Sequence, residues 1–130
     1  MRKLSYVLAA MLWIAGCSKS AGDFKGKEYT MLNPQNGAEI TLGFDRTEPR
    51  YFGKVVNNYF GSYELDGSKI KFGPAASTMM MGPENEMEAE YNYLQILPRV
   101  VSWHMSGTNL VLVTNNGQEI GFKYLGEIKK

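Results

Sequence analysis

The sequence predicts an α+β fold: a small antiparallel β-rich, cracked-barrel-like sheet with one helix packed on it. Three observations carry that expectation. Short segments alternate apolar and polar residues with the period of half-buried strands. Clusters of Gly, Pro, Asn and Asp recur between them. A single glutamate-rich stretch behind Pro83 carries apolar residues at helical spacing instead.

The elements follow in order. Glu28 to Leu32 reads as a strand, and Asn33-Pro34-Gln35-Asn36-Gly37 turns the chain. From Ala38 to Phe44, Ala38, Ile40, Leu42 and Phe44 share one side, opposite Glu39, Thr41 and Gly43. Strands are expected at Arg50 to Val56 and Tyr59 to Leu65. Asp66-Gly67 then makes a hairpin into Ser68 to Phe72, with Ile70 and Phe72 inward. Gly73-Pro74 breaks that strand, and Ser77 to Met81 suits a short extended piece. Helical spacing of Met87, Tyr91, Leu94 and Leu97 predicts the apolar face of a helix that ends at Pro98. Val101, Trp103 and Met105 share a face of the next strand. Asn109 to Thr114 and Gln118 to Tyr124 complete the sheet, the last with Ile120, Phe122 and Tyr124 on one side.

Before this domain, residues 1–16 have the layout of a secretory signal: Arg2 and Lys3, an uncharged apolar run from Tyr6 to Ile14, then small residues. The run falls short of the roughly 20 apolar residues that a spanning helix takes. Ile14-Ala15-Gly16-Cys17 resembles the lipobox of bacterial lipoproteins. The resemblance implies cleavage before Cys17 and acylation of its sulfur and, in many bacteria, of its new amino group. Each buried methylene adds about 0.8 kcal/mol, so two or more chains anchor stably where one is marginal. Ser18 departs from the Asp that commonly retains such proteins at the inner membrane. The expectation is therefore a protein anchored to a membrane through Cys17, at the periplasmic face of the outer membrane. Residues 17–26 read as the lipidated cysteine and a flexible tether, and residues 27–130 as the domain.

Charge and composition narrow the function classes. The precursor's formal charge of +1 falls to about −1 once Arg2 and Lys3 are removed, and no basic stripe suggests nucleic acid. Cys17 is the only cysteine, which rules out an intramolecular disulfide.

The order of motifs resembles the META domain family of HslJ-like bacterial lipoproteins. The residues that carry it are Asn57, Phe60-Gly61-Ser62-Tyr63, Asp66-Gly67 and Ile70-Lys71-Phe72, then Ser77-Thr78 with Met80, Pro83 and Glu84. An acidic helix ending at Leu97 and strand runs at Leu110–Val113 and Ile120–Phe122 follow. The similarity spans Gly53 to Tyr124 and, more loosely, reaches back to Lys27. It implies a small cracked-barrel-like domain in a cell-envelope protein linked to stress or antibiotic tolerance, without a defining catalytic activity. Many members carry cysteines where this chain has Val56 and Gly82, and a basic residue where it has Met79.

Candidate chemistry is sparse. His104 is the sole histidine and Ser102 beside it makes no triad, so no catalytic residue, cofactor or metal is expected. Met79, Met80 and Met81 invite comparison with a soft copper(I) site, but adjacent strand residues point to opposite faces and do not converge. Glu84, Glu86, Glu88 and Glu90 suit a solvated helix start. The candidate ligand or partner surface is Tyr91, Met79 and Met81, with other envelope proteins as partners. The leading expectation is a non-enzymatic lipoprotein acting through protein contacts. The alternative is a periplasmic carrier of a lipid or small hydrophobic molecule, which needs an open cavity lined by Phe, Tyr and Met.

Overall fold

A computed structural model describes residues 24–128. The lipobox, Cys17 and the signal segment lie outside the described residues. Among the described residues nine strands form one sheet: β1 (Lys27–Met31), β2 (Thr41–Phe44), β3 (Arg50–Lys54), β4 (Asn58–Asp66), β5 (Lys69–Phe72), β6 (Ala76–Ser77), β7 (Val100–Ser106), β8 (Asn109–Thr114) and β9 (Glu119–Glu127). A helix, α1 (Glu84–Ile96), separates β6 from β7.

The expected crack is absent. Eight strands close into an antiparallel barrel, because β3 pairs with β4 while β1 pairs with β9 and β5 with β7. Closure removes the exposed edges that an open sheet would have to protect. The β5–β7 seam is its thinnest point. Lys69 pairs with Ser102, and the Trp103 amide donates to the Ser68 carbonyl. Strand β6 runs on beyond β5 along β4, with Phe60 opposite Ala76 and Tyr59 opposite Ser77.

Period-two patterning explains most of the core. Ala38, Ile40, Leu42 and Phe44 are all buried, as are Ile70, Phe72, Leu110, Leu112, Ile120 and Phe122. Eight strands leave an interior just wide enough for side chains to fill. Aromatic rings occupy much of it. Phe24 lies 4.3 Å from Phe44 and 4.8 Å from Trp103, Phe44 lies 5.6 Å from Tyr63, and Tyr51 lies 5.0 Å from Phe72. Gly61 makes room for this: a Cβ there would sit 2.6 Å from the Tyr51 hydroxyl. Gly67 turns the β4–β5 hairpin at φ +63°, which a side chain disfavours.

Several expectations are corrected in detail. Phe24 falls in the expected tether of residues 17–26, yet it is fully buried against the barrel's rings. The third strand stops at Lys54, where residues 55–57 bend and Asn57 alone is buried. Of the expected extended piece, Ser77 to Met81, only Ser77 pairs as strand, together with Ala76 before it. On the seventh strand a register shift between Val100 and Ser102 puts Val100 in the core and Val101 out, while Trp103 stays buried. The helix is rotated as well. Ala89, Glu90 and Tyr93 are its buried residues, with Leu97 just beyond its end, whereas Tyr91 faces outward. Met87 and Leu94 are half-buried.

Candidate functional site

The rotation of α1 has a polar cause. Glu90, grouped by sequence with the solvated glutamates, is 7% exposed and points into the corner between the β3–β4 turn and the loop before the helix. Its Oε1 accepts from the backbone amides of Val56 (3.0 Å) and Asn57 (2.7 Å), and its Oε2 accepts from Asn57 Nδ2 (2.9 Å). Three donors satisfy a carboxylate that burial would otherwise penalise.

Asn57, 3% exposed, passes the connection on to the methionine loop. Its Oδ1 accepts from the Met80 amide (2.6 Å) and the Thr78 hydroxyl (2.8 Å), and its Nδ2 donates to the Met80 carbonyl (3.3 Å). The side-chain amide therefore grips both backbone groups of Met80 much as a neighbouring strand would. Thr78 adds a second strand-like pair with Asn58: its amide donates to the Asn58 carbonyl (3.0 Å), and its hydroxyl accepts from the Asn58 amide (3.2 Å). Helix, turn and loop are thus tied by one buried clamp.

The clamp fixes a backbone whose side chains bury little. Met79 is 91% exposed, Met81 89% and Met80 50%. Tyr91, 64% exposed, follows Glu90 on the helix. All three sequence candidates, Met79, Met81 and Tyr91, thus border the same clamp. Phe60, 57% exposed, stands opposite Ala76 on the β4–β6 ladder that leads into the methionine loop. The sequence reading missed Glu90 and Asn57 as the residues that hold this surface. A usable signal existed: Glu90 lies three residues before Tyr93 and seven before Leu97, on the stripe that is buried.

Val56 and Gly82 meet at the clamp's edge. A Cβ on Gly82 would lie 3.6 Å from Val56 Cβ but only 2.7 Å from its Cγ1. The branched valine takes up the room that any side chain at position 82 would need.

Elsewhere the polar groups are structural. Tyr59 donates to the Thr41 carbonyl (2.5 Å) and shares a 2.6 Å hydrogen bond with the Tyr93 hydroxyl, joining α1 to the barrel wall. Burial raises the pKa of both phenols. His104 is exposed on β7. Among the described residues, no three His, Cys, Asp or Glu side chains are grouped to hold a metal ion. Grooves of about 390 and 550 Å³ lie on the surface, one along Leu65, Ile70, Val100 and Val101, the other along Glu39, Phe52 and Lys54.

A closed antiparallel barrel of eight strands, with one helix inserted between its fifth and seventh strands and clamped to its wall, defines the structural class. The chain belongs to the META domain family, whose family model matches residues 21–125. Solved structures agree on the fold. A protein from Burkholderia xenovorans determined by NMR superposes with a TM-score of 0.65 at 23% identity, covering 78% of this chain and 83% of that one. A DUF4847 family protein from Bacteroides vulgatus gives 0.58 at 11% identity, covering 81% and 96%. At such identities the likeness concerns the fold alone. No curated protein matches the chain.

Proposed function

We propose that the protein is a lipid-anchored, non-enzymatic component of the cell envelope, attached through Cys17 at the periplasmic face of the outer membrane. It acts there in envelope stress or antibiotic tolerance by binding other proteins through Met79, Met81 and Tyr91. One observation carries the contact reading: Met79 and Met81 are about nine-tenths exposed although the backbone between them is pinned by Asn57. Exposed apolar side chains on a fixed backbone bind without paying to order the loop. A non-enzymatic role fits the chemistry, because the buried carboxylate of Glu90 is occupied by three N–H donors and the sole histidine is exposed. The carrier alternative finds less support: rings fill the barrel, and the grooves described lie on its surface.

Photocrosslinking in the native host tests the contact reading. A photoreactive residue at position 79 or 91 should capture discrete proteins, while one at exposed Lys123 should not. Equal capture from all three positions would reject the surface. Anchoring is tested separately. Labelled palmitate should enter the wild type and not Cys17→Ala, and the variant should leave the membrane fraction. An unlabelled wild type, or an unmoved variant, would reject the anchor.

A further inference from the structure

We propose that the Met79–Met81 loop and the start of α1 form a docking site for a cationic amphipathic peptide segment. This rests on the contact reading above and names the chemistry of the partner.

The apolar half of the site is the methionine loop. Unbranched thioether side chains adapt to irregular apolar partners, and Met79 and Met81 bury almost nothing within this chain. Their backbone is already fixed through Met80, so binding has to order side chains and not the loop. Phe60 and Tyr91 add exposed rings on the flanking strand and helix.

Charge selects among apolar partners. From Gly73 to Pro98 the chain carries no Lys or Arg, and Glu84, Glu86 and Glu88 follow within seven residues of Met81. Glu84 and Glu86 suit the positive end of α1, which explains their placement but not that of Glu88 or of the bare methionines beside them. Glu90 is held in the clamp and adds no binding group. Lys54, opposite Asn58, is a cation on the adjoining ladder, and three carboxylates outnumber it. A methionine patch with an acidic border complements a segment that offers Leu or aromatic residues together with Lys or Arg. It repels an anionic amphipath or an anionic lipid surface.

The test uses the full lipidated chain in neutral phosphatidylcholine nanodiscs. A dye-labelled amphipathic helix of leucine and lysine is titrated by fluorescence anisotropy, with its leucine–glutamate counterpart and empty nanodiscs as controls. The Leu/Lys peptide should bind above the empty-disc signal, and the Leu/Glu peptide should not. Met79→Gln with Met81→Gln should weaken binding about 10-fold at every salt concentration, with an unchanged melting temperature. Glu84→Gln with Glu88→Gln should weaken it about 5-fold at low salt and flatten its salt dependence. Binding indifferent to peptide charge, variants that bind like the wild type, or a signal equal to that of empty discs would each overturn the proposal. So would methionine-dependent attachment to anionic vesicles in place of peptide, which would make the surface a lipid contact. If crosslinks from positions 79 and 91 still capture discrete proteins while the Leu/Lys peptide fails, only the cationic partner falls. If both fail, the contact surface falls with it.

Discussion

Inside the barrel, Phe24, Phe44, Tyr63, Phe72 and Trp103 pack against one another from five separate places in the sequence, and Phe44, Tyr63 and Phe72 each touch the other two, so removing any one of these three leaves the other two in contact. At the corner where α1 meets the β3–β4 turn, two polar side chains do the holding. Glu90 and Asn57 connect helix, turn and loop through a few buried hydrogen bonds, with the Thr78–Asn58 pair joining turn and loop beside them. The interior is redundant and non-directional; the corner is directional and breakable at a point. That difference is what lets Met79 and Met81 face water: their loop keeps its place without burying them.

The interior has a weakness of its own, and it gives the largest expected effect. Burial pushes Tyr51 and Tyr63 up to about 12, with the Asp45 carboxylate adding to the rise at Tyr63, and lifts Tyr59 and Tyr93 as well. Phenols in the unfolded chain lose their protons near pH 10. Above that pH the unfolded state holds fewer protons than the folded one, so stability present below pH 10 is lost as pH rises toward the folded values. Each of Tyr51 and Tyr63 costs about 2 kcal/mol by pH 12, a large share of a typical 5–15 kcal/mol. Absorbance at about 295 nm and near-ultraviolet circular dichroism should change together in one cooperative step. Tyrosines that ionise singly with the dichroism intact would show the rings to be less enclosed than their packing indicates.

The corner should fail locally first. Glu90→Ala removes the acceptor of the buried Asn57 amide, of the part-buried Val56 amide and of one Asn57 Nδ2 hydrogen, a loss of about 3 kcal/mol, or roughly 10 °C or more in melting temperature. Glu90→Gln keeps one acceptor but turns a donor toward other donors, and should cost about half as much. Amide exchange separates corner from interior. Met80 should lose protection in both variants, while Leu112 and Phe122 keep theirs relative to global stability. Uniform loss across the domain would mean the clamp is not a local device.

The same corner can be closed covalently, with a slightly smaller effect of opposite sign. Cysteines stand at positions 56 and 82 in many proteins of the resembling family, and here the Cβ separation would be 3.6 Å, within the disulfide range of about 3.5–4.5 Å. Val56→Cys also removes the Cγ1 that lies 2.7 Å from any Cβ at position 82. The double variant Val56→Cys/Gly82→Cys should oxidise readily and gain about 2–3 kcal/mol, reversed by reductant. Either single variant should gain nothing. A double variant that stays reduced in air would show that the two backbones do not meet as described.

Much of this was legible in the chain because alternation reports the inside of a small barrel directly: Ala38, Ile40, Leu42 and Phe44 are read in order and buried in order. Turn chemistry at Asp66-Gly67 was equally local. What failed was non-local. Closure depends on which strands meet across the β5–β7 seam, and Val101 was misplaced by a single-residue register shift that no period can announce. Glu90 was read as solvated because a carboxylate on a helix is normally exposed. Its burial depends on Asn57, 33 residues away, and on amides freed where β3 stops short.

The smallest effect tests the interior's remaining irregularity. Tyr63 is 4% exposed, and its hydroxyl is buried with no hydrogen-bond partner among the described residues. Tyr51, on the facing strand, donates to the Gly73 carbonyl at 2.7 Å. Removing the two hydroxyls should therefore have opposite signs. Tyr51→Phe leaves a carbonyl without its donor and should cost about 1 kcal/mol. Tyr63→Phe relieves an uncompensated desolvation and should gain about 0.5–1 kcal/mol, since the ring contacts with Phe24 and Phe44 are kept. Urea titrations with equal m-values would measure both. If Tyr63→Phe destabilises as much as Tyr51→Phe, the Tyr63 hydroxyl has a partner in solution. The interior would then rest on polar contacts as the corner does, and the contrast between the two regions would narrow.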